Sequence, residues 1–298
     1  KNLSKEDLGL FSYYFNLMTL LSTVFSFGFY HAYLRFNNNS FNIYSLIHIV
    51  RSGSIIASLL LFLVSYIIFN NIFIASFSFF ILFNERIYYF RSEKKITRMN
   101  LLKYLSSIIL IGCLVCFVKF NHLNFEKAVV GYGIAYLIVF FLGLLDDKKK
   151  VNSIDRSNLN ICFILKFTVP IVFTSIVVWI SHVSDQMIMK EYLPLTDLGN
   201  YAIAYRIIVV IQIFTSLFLL YYPMLYFEES DKKNYATIKK TRYAFILLLL
   251  LVTVALIICR KYLYILLGAS QYLDYTDIFI YLAVAEFIRI VAGFYLIF

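Results

Sequence analysis

Long apolar runs separated by short polar segments dominate this sequence. A transmembrane helix needs about 20 apolar residues, and nine segments of the chain come close to or exceed that length. Their predicted limits are 8–34, 43–69, 72–91, 104–120, 128–145, 161–189, 199–226, 243–264 and 277–298. The apolar residues are continuous rather than alternating, which disfavours a β-barrel. The pattern therefore predicts an all-α integral membrane protein.

A short motif occurs twice, 190 residues apart, and each copy precedes a long apolar helix. The matching residues are Leu3, Asp7, Leu8, Gly9 and Phe11 in the first copy, and Leu193, Asp197, Leu198, Gly199 and Tyr201 in the second. Such a repeat in a membrane protein predicts two pseudo-symmetric helix bundles with a substrate path between them.

The repeat also predicts the domain organisation. We expect about six helices in each bundle, so that the chain holds about nine of about twelve, with one further helix before residue 1 and others after residue 298. The N-terminal lobe is predicted at 1–145 and the C-terminal lobe at 161–298, joined by a charged cytoplasmic linker at 146–160.

Composition and charge agree with a membrane protein and orient it. Hydrophobic residues make up 61% of the chain and charged residues 15%, whereas soluble domains are about half apolar and a quarter charged. The loops at 35–51, 85–103, 146–160 and 226–243 hold 17 Lys and Arg residues, against seven in the alternate loops. The positive-inside rule therefore places the first set in the cytoplasm. The net charge of +10 is expected to contact anionic membrane lipids rather than nucleic acid.

Polar residues follow one face of two predicted transmembrane helices, at spacings of three and four residues. The two sets are Ser12, Asn16, Thr19, Thr23, Ser26 and Tyr30 in the first helix, and Lys166, Pro170, Thr174, Val177, Ser181 and Asp185 in the segment 161–189. A polar face avoids lipid, so it lines a water-filled cavity or makes hydrogen bonds between helices. The sequence leaves both alternatives open.

Ionisable residues at membrane depth are candidates for substrate binding, because a charge at the membrane centre costs about 2.5–3.5 kcal/mol. The repeat aligns Arg206 with Asn16, so we expect both residues to face the same central cavity. Snorkelling of Arg206 to the outer surface is the alternative. Glu286 and Arg289 are three residues apart, which suits a structural ion pair or a cavity-lining one.

Arginine is suited to hold a diphosphate, because its planar guanidinium binds phosphate oxygens bidentately. Arg35 and Arg51 flank the predicted cytoplasmic end of the first two helices, where they set topology and are also able to attract an anion. Cys113 and Cys116 form a mid-helix CxxC without a neighbouring histidine, so we expect no metal site and no cofactor. We predict a cationic substrate cavity that includes Arg206, Arg289, Glu286, Arg35, Asn16 and Lys166, with Asp185 and Glu286 as candidate ion-coupling residues.

Six short segments carry a family resemblance: 165–170, 179–181, 184–186 and 198–207, and also 7–12 and 32–36. The first four resemble the seventh and eighth helices of Wzx-type polysaccharide flippases, and the last two resemble the second helix of that family. Arg206 matches a position that is commonly basic in the family, whereas Gln186 stands where many relatives carry arginine. The resemblance implies two lobes, as in the multidrug/oligosaccharidyl-lipid/polysaccharide exporter superfamily.

The same resemblance implies a non-enzymatic activity: alternating access that moves undecaprenyl-diphosphate-linked oligosaccharides, such as O-antigen or capsule repeat units, across the bacterial cytoplasmic membrane. A polysaccharide polymerase and other envelope-assembly proteins are then candidate partners. A multidrug exporter of the same superfamily is the alternative, although it favours an acidic cavity. A polymerase is disfavoured because the longest predicted outward loop, 261–276, lacks a suitable acid–base pair or nucleophile. A scaffold for envelope synthesis is less consistent with a chain that has no soluble domain.

Overall fold

The computed structural model describes residues 4–36, 43–120, 124–145, 161–231 and 235–297. Within these ranges every regular element is helical, and the predicted linker 146–160 lies outside them. The helices are α1 (Lys5–Phe25), α2 (His31–Phe36), α3 (Ile43–Phe69), α4 (Ile72–Ala75), α5 (Phe80–Ser92), α6 (Ile96–Phe120), α7 (Phe125–Leu144), α8 (Ile161–Tyr192), α9 (Leu195–Asp231), α10 (Tyr235–Ile258), α11 (Arg260–Leu266) and α12 (Thr276–Ile297), with 3-10 segments at Ser76–Phe79 and Ser270–Tyr275.

Seven helical segments in the described part of the chain are long and apolar enough to cross a membrane, which confirms an all-α integral membrane protein. They are α1, α6, α7, α10, most of α3, the first two thirds of α8, and the segment Ile72–Ser92 that runs from α4 through α5. The predicted span 199–226 is helical as part of α9, and the predicted span 277–298 is helical as far as residue 297 in α12. Since side chains at 216–231 and 293–297 are not described, these two spans stay predictions.

The chain divides into two compact units, Asn2–Leu193 and Pro194–Phe298. In the first unit α7 packs against α1, α5 and α6, while α8 packs along α1 and α2. In the second unit α9, α10 and α12 pack on one another. Helix α8, which the sequence repeat groups with the C-terminal lobe, therefore packs with the N-terminal helices here, and the lobe boundaries remain a prediction.

The two copies of the repeated motif occupy similar positions in their own units. Asp7 lies in the first turn of α1 and Asp197 in the first turn of α9, where a carboxylate interacts favourably with the helix dipole. The following leucine and aromatic residue of each copy are buried: Leu8, Phe11, Leu198 and Tyr201. The symmetry of the two bundles as wholes remains a prediction.

A turn interrupts the first predicted span, so the prediction of one continuous helix over 8–34 is wrong. Phe27 and Gly28 between α1 and α2 have φ angles of 45° and 63°. A Cβ on residue 28 would lie 3.1 Å from Val172 Cγ2 of α8. Glycine therefore suits both the left-handed backbone and the close approach of α8.

The loop predicted at 85–103 is also wrong for most of its length. Helix α5 continues to Ser92 and α6 begins at Ile96, and the turn between them contains Lys94 with a φ of 57°. The loop predicted at 226–243 is likewise helical at 226–231 and 235–243.

A core of apolar side chains lies at the end of the first unit where α5 meets α6. Helices α2, α3, α5, α6, α7 and α8 contribute to it, with Phe36, Val50, Phe90, Leu102, Val139 and Ile164 among its members.

Candidate functional site

A polar contact joins α1 to α8 within the first unit. The buried Gln186 accepts hydrogen bonds through Oε1 from Ser12 Oγ at 3.1 Å and from Asn16 Nδ2 at 2.8 Å. Trp179 Nε1 donates to the main-chain carbonyl of Asn16 at 3.0 Å. Two members of the predicted polar face thus make hydrogen bonds between helices, and this part of the face is bonded to protein.

The hydroxyl groups of that face toward the C-terminal end of α1 make hydrogen bonds to preceding main-chain carbonyls. Thr19, Thr23 and Ser26 each donate to a carbonyl three or four residues earlier, at distances of 2.7 to 3.0 Å. These hydroxyls therefore satisfy their donors without help from another helix, as serine and threonine do in transmembrane helices.

The predicted polar face of α8 lies away from the face that contacts α1. All six of its members are exposed: Lys166, Pro170, Thr174, Val177, Ser181 and Asp185. Thr168, Val172 and Gln186 on the other side are buried. Asp185 Oδ1 accepts a hydrogen bond from the main-chain N–H of Gln186 at 2.8 Å. Two of the predicted site residues, Lys166 and Asp185, are thus presented on an exposed polar face.

A buried charged cluster, which we call the Glu85 cluster, comprises Tyr33, Arg51, Glu85 and Arg86. Glu85 and Arg86 are both 0% exposed. The guanidinium of Arg86 donates through Nε and Nη2 to the two carboxylate oxygens of Glu85. Tyr33 Oη donates to Glu85 Oε1 at 2.6 Å. Arg51 approaches the same oxygen with Nε at 3.9 Å.

Aromatic rings and a glycine shape the space around Arg86. Its guanidinium carbon lies 5.0 Å from the ring centre of Tyr89 and 5.8 Å from that of Phe140, which suits cation–π contact. A Cβ on residue 143 would lie 2.8 Å from Arg86 Cδ, so Gly143 leaves the room that the side chain occupies. Four elements, α2, α3, α5 and α7, therefore build this cluster.

Several further cations lie at the same end of the first unit. Arg35 is exposed at the end of α2, and the positive charge of Arg91 on α5 acts on His31. Phe36 and Phe167, which neighbour Arg35 and Lys166, have ring centres 5.5 Å apart. These contacts bring α2 next to α5 and α8 at this end of the first unit, and each of the three helices carries a cation there.

In the second unit, Glu286 and Arg289 form an ion pair on α12. Arg289 Nε donates to Glu286 Oε2 at 2.8 Å, and Nη2 donates to Oε1. Gln212 of α9 donates to the same carboxylate through Nε2 at 3.1 Å. The side chain of Glu286 is 7% exposed and that of Arg289 is 41% exposed. The carboxylate is thus held between two helices, while the guanidinium remains accessible.

Arg206 is exposed on α9, near the 3-10 segment Ser270–Tyr275. Burial raises the pKa of Tyr272 in that segment, whereas a hydrogen bond with Gln271 and the positive charge of Arg206 lower it. Arg206 therefore lies within electrostatic reach of the segment that the sequence predicts as an outward loop.

The predicted site residues fall into both units. The structure brings Glu286 together with Arg289 in one unit, and Asn16, Lys166 and Asp185 lie on adjacent helices of the other. A common cavity for all of them remains a prediction. Sequence reasoning missed the roles of Glu85, Tyr33 and Gln212 as partners.

These features define a multi-pass all-α membrane protein with charged and polar groups inside its helix bundles. The sequence model of a family described as "Polysaccharide biosynthesis protein" matches residues 1–226. The chain therefore belongs to this family, and its membrane helices fit a polysaccharide transporter. No curated protein and no solved structure matches the chain.

Proposed function

We propose that this protein is a flippase for undecaprenyl-diphosphate-linked oligosaccharide repeat units in the bacterial cytoplasmic membrane. Two lobes alternate in access to the two sides of the membrane around a cationic cavity. The activity is transport rather than catalysis. The family match over residues 1–226 is the observation that carries the proposal, because it joins polysaccharide biosynthesis to a chain made of membrane helices.

The exposed polar face of α8 supports a transport path. Lipid does not favour the charged side chains of Lys166 and Asp185 on the surface of a long membrane helix, and such residues face a bundle interior or water. Thr174 and Ser181 on the same face donate to carbonyls of α8 itself. We assign this face to the path, and we keep Asn16 of α1 as a second candidate, although it contacts Gln186 on the other side of α8. The oligosaccharide would travel along these polar groups while the prenyl chain stays in lipid.

Arginines supply the cationic groups that a diphosphate requires. We assign diphosphate contacts to Arg206, Arg289 and Arg35, each of which is exposed enough to meet a ligand. Asp185 and Glu286 are the candidates for ion coupling. Glu286 already accepts from Gln212 and Arg289, so Asp185 on the exposed face of α8 is the better candidate.

The test uses the full-length protein in proteoliposomes and a fluorescent undecaprenyl-diphosphate oligosaccharide whose sidedness is followed. We expect protein-dependent flipping in wild type and a large loss in Arg206→Ala. Lys261→Ala is the matched control, because Lys261 is an exposed cation at the start of the predicted outward loop 261–276.

Flipping that persists in Arg206→Ala would keep the function and remove Arg206 from the site. Absence of flipping by wild type with any lipid-linked sugar, together with efflux of a cationic dye, would replace the proposal with a multidrug exporter.

A further inference from the structure

Helix α8 contacts the N-terminal helices at two places that differ in chemistry, and the first is apolar. Near the predicted cytoplasmic end, the ring centre of Phe36 in α2 lies 5.3 Å from that of Phe163 and 5.5 Å from that of Phe167. Ile164, between these two residues of α8, is 0% exposed and belongs to the same core as Phe36. We call this the inner contact. Close packing of this kind holds helices together in a membrane.

The second place lies towards the predicted outer end of α8, and there the contact with α1 is polar. Gln186 accepts hydrogen bonds from two side chains of α1, and Trp179 donates one to a main-chain carbonyl of that helix. The ammonium group of Lys190 lies 4.0 Å from the ring centre of Tyr13. We call the contacts of these three α8 residues with α1 the outer contact. Hydrogen bonds between membrane helices and cation–π contacts are individually weak, so this contact is able to break and re-form.

A proline lies between the two contacts, where α8 also comes very close to a glycine. Pro170 is inside α8 and has no N–H, so the main-chain carbonyl of Lys166 lacks its α-helical donor. A Cβ on residue 28 would lie 3.1 Å from Val172 Cγ2 and 3.4 Å from the main-chain oxygen of Thr168. The turn of α8 that has lost a hydrogen bond therefore lies against the turn between α1 and α2. Helices bend most readily at such a proline.

We propose that α8 has a hinge at Pro170, and that its outer half, residues 171–192, moves away from α1 during transport while its inner half stays on α2. Bending at the proline breaks only the outer contact, whereas detachment of the whole helix would also expose the buried Ile164. Opening brings Ser12 and Asn16 into contact with water. The polar face of α1 then makes hydrogen bonds between helices in the closed state and lines a cavity in the open one. The inference rests on alternating access, which is part of the proposed function.

The first experiment measures opening of the outer contact independently of transport. The native cysteines are replaced by serine, and Ser12→Cys is labelled with a membrane-impermeant maleimide in spheroplasts that express the full-length protein. We expect Trp179→Phe to speed labelling, because it removes the N–H that bonds α1 and keeps an aromatic ring. Pro170→Ala should slow labelling, because alanine restores the missing hydrogen bond of α8. Glu6→Cys, exposed at the start of α1, is the matched control, and neither substitution should change its labelling.

The second experiment tests whether transport requires this opening. Tyr13→Cys with Lys190→Cys places a thiol on each side of the outer contact, and Phe36→Cys with Phe163→Cys does the same at the inner contact. A short reducible cross-linker across the outer pair should lower flipping in proteoliposomes to the level of protein-free liposomes, and reduction should restore it. The same reagent across the inner pair should leave flipping unchanged. Each protein is compared with itself before cross-linking, so the effect of the substitutions cancels.

Three outcomes overturn the proposal. Labelling of Ser12→Cys that responds to neither Trp179→Phe nor Pro170→Ala removes the hinge, whatever the transport activity. Undiminished flipping with the outer pair cross-linked means that the outer contact stays closed during transport. An equal block by the inner pair means that α8 moves as a whole. Labelling that responds to both substitutions while wild type flips no lipid-linked sugar would instead keep the hinge and refute the flippase function.

Discussion

Replacing Arg86 with methionine tests how strongly the Glu85 cluster stabilises the first unit. Methionine keeps the unbranched stem that packs against Gly143, but it removes the guanidinium that donates to both oxygens of Glu85 and lies over Phe140. Glu85 then remains 0% exposed with one hydrogen bond from Tyr33 and with Arg51 at 3.9 Å. The substitution therefore leaves a buried carboxylate that has lost its main partner.

The expected cost follows from the geometry of the pair. Breaking a buried ion pair by removing one partner costs about 3–5 kcal/mol. For a unit of this size, 1 kcal/mol corresponds to about 2–4 °C in the unfolding midpoint, so Arg86→Met should lower that midpoint by roughly 6–20 °C. Replacing both members, as Glu85→Leu with Arg86→Met, removes the buried charges together and should recover most of the loss.

Trp179 provides the assay, because it is the single tryptophan of the chain and its indole bonds to Asn16 within the first unit. Thermal unfolding of the full-length protein in detergent micelles is followed by its fluorescence. Adding Tyr33→Phe to the double variant removes the hydroxyl that would otherwise lose its acceptor, and should recover about 1–3 kcal/mol more.

Two results would refute this reasoning. An unchanged midpoint in Arg86→Met would mean that the carboxylate is solvated or protonated rather than held by the arginine. A double variant as unstable as the single one would mean that the shape of the arginine, not its charge, stabilises the unit.

Two further predictions concern close packing and the contact between α1 and α8. Gly143→Ala should lower stability by about 1–3 kcal/mol in the same assay, since the added Cβ would lie 2.8 Å from the side chain of Arg86. Gly112→Ala is the control: its Cβ meets no heavy atom within 4 Å, so the substitution should be neutral or stabilising. Asn16→Leu should lower the free energy of unfolding by about 0.6–1.7 kcal/mol, which is what hydrogen bonds between transmembrane helices contribute. The same substitution should cause little further loss in a Gln186→Leu background. Full additivity of the two losses would contradict the hydrogen bond seen at 2.8 Å.

The hydrophobic pattern was sufficient to predict the fold class, because a span is defined by length and apolar content within one continuous segment. The spacing of Glu286 and Arg289 predicted that they pair, since residues three apart on a helix are neighbours whatever surrounds them. The turn at Phe27 and Gly28 escaped it. One glycine in a long apolar run is compatible with an unbroken helix, and the residues that approach Gly28 closely, Thr168 and Val172, lie far along the chain.

The burial of Arg86 could not be predicted from the sequence for a similar reason. An arginine close to the end of an apolar run looks like a loop residue, and nothing local distinguishes it from Arg91, which is exposed. Its burial requires Tyr33, Phe140 and Gly143 from other helices. Long-range partners of this kind decide whether a charge is a surface group or part of a core.

The unexpected burial of Arg86 does not change the predicted topology. Arg51 and Arg86 are two of the 17 cations assigned to the cytoplasmic side, and without them fifteen still stand against seven on the other side. Orientation depends on that sum, so it tolerates an error in one or two residues, whereas a binding site depends on each side chain individually.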